Sequence, residues 1–255
     1  MPASVPAIPV PFLSNVMTET SPETQAPPAP NSENGEDSEI YLVPSPTMDF
    51  EHPAVRAFLE TLELGSDPRK NAVQLYYAVR DRIRYDPYTI NLSVEGLKAS
   101  TTVTAGRAWC VSKAILLSAL CRSVGIPARL GFADVRNHLS TERMRQLMKT
   151  DVFLWHGYSS ILLEGQWIKA TPAFNIELCQ RFGLKSLEFD GSGDSLYHSF
   201  DLNGKRHMEY LAMRGEYEDV PIAEIDESFR LEYNMTSSWN LADFDQEVKN
   251  ETRLD

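Results

Sequence analysis

The first fifty residues contain no lysine and no arginine, and the first basic side chain in the chain is Arg56. The same stretch holds ten of the sixteen prolines and seven acidic residues. It cannot bury enough apolar surface to offset its chain entropy, so residues 1–50 read as a disordered, acidic, proline-rich tail. Met1 to Val16 lacks a positive n-region and carries repeated prolines, which makes a poor signal peptide, and no run approaches the length of a membrane span. A cytoplasmic location is expected. Cysteine is scarce as well. Cys110, Cys121 and Cys179 make an odd count with no CxxC spacing, which fits reduced thiols rather than a disulfide framework, a zinc site or a redox pair.

A basic surplus is also missing. The net charge is −12, and setting aside the tail's seven acidic residues leaves −5 for residues 51–255. Without a basic face, neither nucleic acid nor an anionic membrane is an expected partner. His138, His198 and His207 have no ligand spacing with the cysteines, so no metal is expected, and nothing calls for a cofactor.

What is present is a chain with 42% hydrophobic residues over 255 positions, enough for a full core. Asp67-Pro68 followed by Leu75, Tyr76, Val79 and Ile83 predicts an N-capped helix ending near Tyr85, before Asp86-Pro87. The Ser- and Thr-rich stretch from Tyr88 to Thr104 reads as a long connection. A buried helix should begin at Cys110 and close at Gly125, with Pro127 just beyond. Arg129 to Ala133 reads as a strand, and Ser140 to Lys149 as a short capped helix. The run 152–163, then Glu164-Gly165, then Gln166 to Thr171 is the clearest hairpin. The stretch Asp201 to Pro221 is a candidate cover for a cleft, and residues 222–255 form an acidic C-terminal segment.

A thiol at the start of a helix meets unsatisfied backbone N–H groups and the positive end of the helix dipole, which favour thiolate and can receive an oxyanion. Cys110 is therefore a candidate nucleophile. With Glu164-Gly165 as a two-residue turn, Leu163 pairs with Gln166 and position 158 stands opposite 171. Period-two alternation then puts His156, Tyr158, Lys169 and Thr171 on one face, with Thr171 diagonal to His156. A longer turn of odd offset would move Thr171 to the other face. His156 is the candidate base, and Thr171 the candidate group that orients it.

The segments Gly106-Arg107-Ala108-Trp109-Cys110, Leu120 to Arg129 with its Gly125-Ile126-Pro127-Ala128-Arg129 exit, Trp155-His156, and Gln166 to Pro172 resemble the transglutaminase-like (transglutaminase core) superfamily over roughly residues 52–176. The resemblance implies an α+β, papain-like transglutaminase core with a central cysteine helix packed on an antiparallel sheet, spanning residues 51–221. It also implies Cys110 as nucleophile and His156 as base. One position departs from the pattern. The family usually has aspartate just before the proline of the second strand, where this chain has Thr171. A hydroxyl can orient the imidazole but carries no charge to stabilise imidazolium, and Asn175 is another polar neighbour for that contact.

The expected function is a cysteine-dependent hydrolase or acyltransferase acting on a peptide, protein or other amide substrate through a thioester, with hydrolysis favoured over cross-linking. The competing reading, prompted by Thr171, is a noncatalytic transglutaminase-like module that holds a peptide in the same cleft.

Overall fold

The computed structural model describes residues 38–137, 140–196, 208–233 and 243–252. The expectations for residues 1–37 and for His138, His198 and His207 lie outside this set.

Helix α1 (Pro53–Glu60) starts at Pro53 behind a His52 cap. In α2 (Pro68–Arg82) the Asp67 carboxylate accepts from the N–H groups of Arg69 and Lys70, as the Asp-Pro pair predicts. Strand β1 (Arg84–Tyr85) pairs in parallel with β2 (Arg107–Ala108). Between them the chain is not the loop its composition predicts. It forms a 3-10 turn at Pro87–Thr89 and two short helices, α3 (Val94–Leu97) and α4 (Ala99–Ala105). Ser93 caps α3, and α4 stops at Gly106 in the left-handed conformation, φ 63°.

Helix α5 (Cys110–Ser123) follows, buried at every position from Cys110 to Arg122. A helix surrounded on all sides is the centre of a domain, and its polar residues Lys113, Ser118 and Arg122 are hydrogen-bonded. Strand β3 (Ala128–Asn137), helix α6 (Glu142–Met148), strands β4 (Val152–Leu163) and β5 (Gln166–Ala170), and helix α7 (Ile176–Arg181) come next. Strand β6 (Met208–Tyr217) and helices α8 (Ile222–Tyr233) and α9 (Phe244–Glu251) complete the order.

The sheet runs β5-β4-β3-β6, antiparallel throughout. Leu163 pairs with Gln166 across Glu164 (φ 50°) and Gly165 (φ 79°), two left-handed residues in a two-residue hairpin turn. The predicted register is therefore the observed one. Helix α5 lies on one face of this sheet, where Ser159 donates to the Ala114 carbonyl and accepts from Ser118. The fold is α+β, a central cysteine helix on an antiparallel sheet.

The tail boundary at residue 50 is too late. Residues 38–50 pack into the body: Met48 is fully buried, the Ala99 N–H donates to the Thr47 carbonyl, Asp49 receives the N–H and hydroxyl of Ser100, and Arg122 reaches the Val43 carbonyl. Averaging over fifty residues hides the apolar set Ile40, Tyr41, Leu42, Met48 and Phe50 at the end of that window.

Candidate active site

Cys110 opens α5 with Trp109 at the cap position and no side-chain cap. The thiol is 7% exposed and receives the backbone N–H of Gly157 on β4, together with those of Val111 and of Cys110 itself. That contact depends on a glycine. A Cβ at position 157 would stand 2.9 Å from the Val111 Cα, so only a bare backbone lets β4 press on the first turn of α5.

The helix start does not make a resting thiolate. Burial pushes the Cys110 thiol up to about 11, although the three N–H groups and the Lys113 charge pull the other way. The sequence expectation of a favoured thiolate is corrected here: desolvation outweighs the helix N-terminus, and at neutral pH the group keeps its proton.

His156 sits beside Gly157 on β4, 5% exposed, and lines the same cavity as Cys110. The strand reaches it through an irregularity. Pairing with β3 slips by one residue between Ala133 and Val135, and Trp155 adopts φ 58°, a conformation disfavoured for a bulky side chain. The surroundings hold Trp155 in place. Its N–H donates to Asp134, its indole N–H donates to Ser228 at 2.9 Å, and the Arg214 guanidinium, itself bonded to Asp134, lies 4.7 Å from its ring. A bulge pinned this firmly re-aims the residue that follows it, and that residue is His156.

Thr171 lies just past the end of β5. Its N–H donates to the Ser195 carbonyl, and its carbonyl accepts from the Tyr76 hydroxyl. Its own hydroxyl is buried and makes no hydrogen bond among the described residues, and it does not line the cavity of Cys110 and His156. Asn175 is committed elsewhere: its Oδ1 accepts the Tyr85 N–H and its Nδ2 donates to Glu177. It thereby fixes Tyr85, which forms a wall of the cavity.

Sequence reasoning missed several residues of the site. Lys113, one turn beyond Cys110, is wholly buried, and its ammonium donates to the carbonyls of Arg80 and Ile83 at the end of α2. Burial lowers it to about 7. The roof of the cavity was expected from Asp201 to Pro221. Residues 201–207 lie outside the described set, and Met208 of β6 is a lining residue, but the roof itself is α8. Phe229 meets Trp109 edge-on at 6.1 Å, and the Tyr233 hydroxyl accepts from Leu154 N–H and donates to the Val152 carbonyl. Cys121 and Cys179 are free and buried, with thiols raised by burial to about 12, and neither lines the cavity. No described helix is long and apolar enough to cross a membrane.

No curated protein matches the chain. Among solved structures, a match is the crystal structure of a "Putative Cysteine Protease from Cytophaga hutchinsonii", at 17% identity and a TM-score of 0.42. That match covers 72% of this chain, which spans 55% of the length of the other. The family model of the transglutaminase-like superfamily matches residues 56–172, from α1 through the cysteine helix and the histidine strand to Pro172. The cysteine helix, the histidine strand and the ordered pair Cys110 and His156 all fall inside residues 56–172, the stretch over which the chain is similar to the transglutaminase-like superfamily.

Proposed function

We propose that the protein is a cysteine-dependent amide hydrolase or acyltransferase. The observation that carries this reading is that Cys110, at the N-terminus of α5, and His156, on β4, line one cavity with the Gly157 N–H on the thiol. Because the resting thiol is protonated, His156 acts as a general base when substrate is bound, not as the partner of a preformed ion pair. Sulfur bonds the carbonyl carbon as its proton passes to His156. The C–N bond then breaks, and the amine leaves with that proton. Water, or an amine for acyl transfer, cleaves the thioester and restores the thiol. Thr171 is proposed as the group that orients the imidazole, because it follows Ala170, the last residue of β5 paired with β4, and its hydroxyl is uncommitted.

The test is mass spectrometry of the intact protein after exposure to a library of acyl amides and peptides at neutral pH. The expected result is an acyl mass on the peptide containing Cys110, absent in Cys110→Ala and formed at least 10²-fold more slowly in His156→Ala. Absence of any adduct or turnover across the library would favour the second reading, a peptide-binding module. The raised thiol and the unbonded Thr171 hydroxyl speak for that alternative.

A further inference from the structure

The cavity that holds Cys110 does not end there. A second cavity adjoins it and shares six lining residues, among them Tyr85, Asn137, Met144 and Phe174. Leu178, Phe182, Leu184 and Phe244 line only the second, so they mark the end away from the thiol. No aspartate, glutamate, lysine or arginine lines either one. Placing a charged side chain here would cost its hydration with no opposite charge to offset it, whereas an alkyl chain gains about 0.8 kcal/mol per buried methylene.

At the thiol end the walls carry His156 and a further polar group. Trp109, next to Cys110 and 4% exposed, has a buried indole N–H with no hydrogen-bond partner among the described residues. An orphaned buried donor carries a cost that an incoming acceptor relieves. An apolar slot with a lone N–H beside the nucleophile matches a molecule that is apolar along its length and ends in a carbonyl.

From this juxtaposition we infer that the substrate's acyl part is a medium-length alkyl or aryl chain. It lies along the slot from Cys110 towards Leu178 and Leu184, with its carbonyl oxygen on the Trp109 indole N–H. The inference rests on the thioester reading for its chemistry, and the steps are those given above: the acyl carbon passes from nitrogen to sulfur, then to water, yielding a free carboxylic acid. It adds the identity of the acyl group and assigns Trp109 as the donor to the carbonyl. Met208, Phe229 and Tyr233, which complete the first cavity, and Leu178, Phe182, Leu184 and Phe244 at the far end lie beyond the family match.

The test uses N-octanoylglycinamide and N-acetylglycinamide as probes. Calorimetry on Cys110→Ala reads binding without turnover. The octanoyl compound is expected to bind at least tenfold more tightly than the acetyl one. Leu178→Trp and the milder Leu184→Phe, each confirmed to unfold cooperatively, should shorten the slot and abolish that preference while leaving acetyl binding unchanged. On the chain with its thiol intact, Trp109→Phe should lower kcat about 10²-fold, the loss typical of one oxyanion donor, with little change in KM. Equal binding of the two probes, or a preference untouched by both slot variants, would overturn the inference even if acyl adducts form on Cys110. Octanoyl preference without adduct or turnover would leave the slot standing and remove the thiol chemistry instead.

Discussion

Gly157 lies so close to Val111 that the distance from its would-be Cβ to the Val111 Cα is 2.9 Å. This approach couples the histidine strand to the cysteine helix, because the same residue gives its N–H to the Cys110 thiol. Gly157→Ala must push β4 off the first turn of α5. The expected cost is about 1–3 kcal/mol of stability in urea titration, with loss of acyl transfer. Gly193→Ala, with nothing within 4 Å of its added carbon, is the control and should be close to neutral. Equal behaviour of the two variants would refute the close-contact argument.

The hydroxyl of Tyr233 ties α8 to the backbone of β4 at Leu154 and Val152, and so holds the roof over Cys110. Tyr233→Phe removes both bonds and keeps the ring, at about 1–2 kcal/mol. Local opening of α8 should then be about 5- to 30-fold more populated. Alkylation of Cys110 by iodoacetamide at fixed pH reads this directly and should accelerate by a similar factor. An unchanged rate would mean that reagent reaches the thiol by a path that α8 does not cover.

Thr171 stands where the family pattern carries a carboxylate. Thr171→Asp supplies a negative charge to oppose imidazolium, and acylation of Cys110 should speed up tenfold or more if position 171 is within reach of His156. Thr171→Val should slow it. In a His156→Ala background the aspartate is a buried charge without a partner, so the same substitution should destabilise the fold by more than it does beside histidine. Additive stabilities would place Thr171 outside the reach of His156.

Local signals carried much of this architecture into the sequence. Asp67-Pro68 marks the start of α2, Gly125 the end of α5, and Glu164-Gly165 sets a register that puts Leu163 opposite Gln166. Each is short-range chemistry, a cap or a turn that needs no distant partner. The features that shape the site are long-range. No local pattern marks Trp155 as left-handed, since the cause is Asp134, Arg214 and Ser228 closing on it from three other elements. Val94 and Gly96 of α3 and the serine and threonines of α4 have weak helix propensity; Ser93 caps α3, and α4 is helical through packing, with Ala99, Ser100 and Thr102 buried. Composition showed residues 222–255 as acidic, but not that Asp245 and Glu247 of α9 find Arg84 and Arg143.

Lys113 is the least legible residue of all, since a lysine on a helix is ordinarily read as a solvated position, yet here its side chain closes the end of α2. It also gives stability a pH dependence with a definite sign. Its ammonium is lowered to about 7 in the fold, against an ordinary value near 10.5 in the unfolded chain. Below pH 7 both states hold the proton and the burial cost is borne in full. Between 7 and 10.5 the unfolded chain binds more protons than the native one, so this residue makes stability rise with pH, by up to about 1.4 kcal/mol per unit. The cysteines act in the opposite sense above pH 9, since their raised thiols keep protons that the unfolded chain releases. Comparison with Lys113→Met cancels that background. At pH 10 the variant should be the less stable protein by about 1–3 kcal/mol, because the carbonyls of Arg80 and Ile83 lose their donor. At pH 6 the gap should narrow or reverse, as the wild type must bury a charge that methionine does not carry. Urea titrations of both chains from pH 6 to pH 10 measure this. A gap constant across that range would show that Lys113 stays charged in the fold, held by the two carbonyls strongly enough to cancel its desolvation.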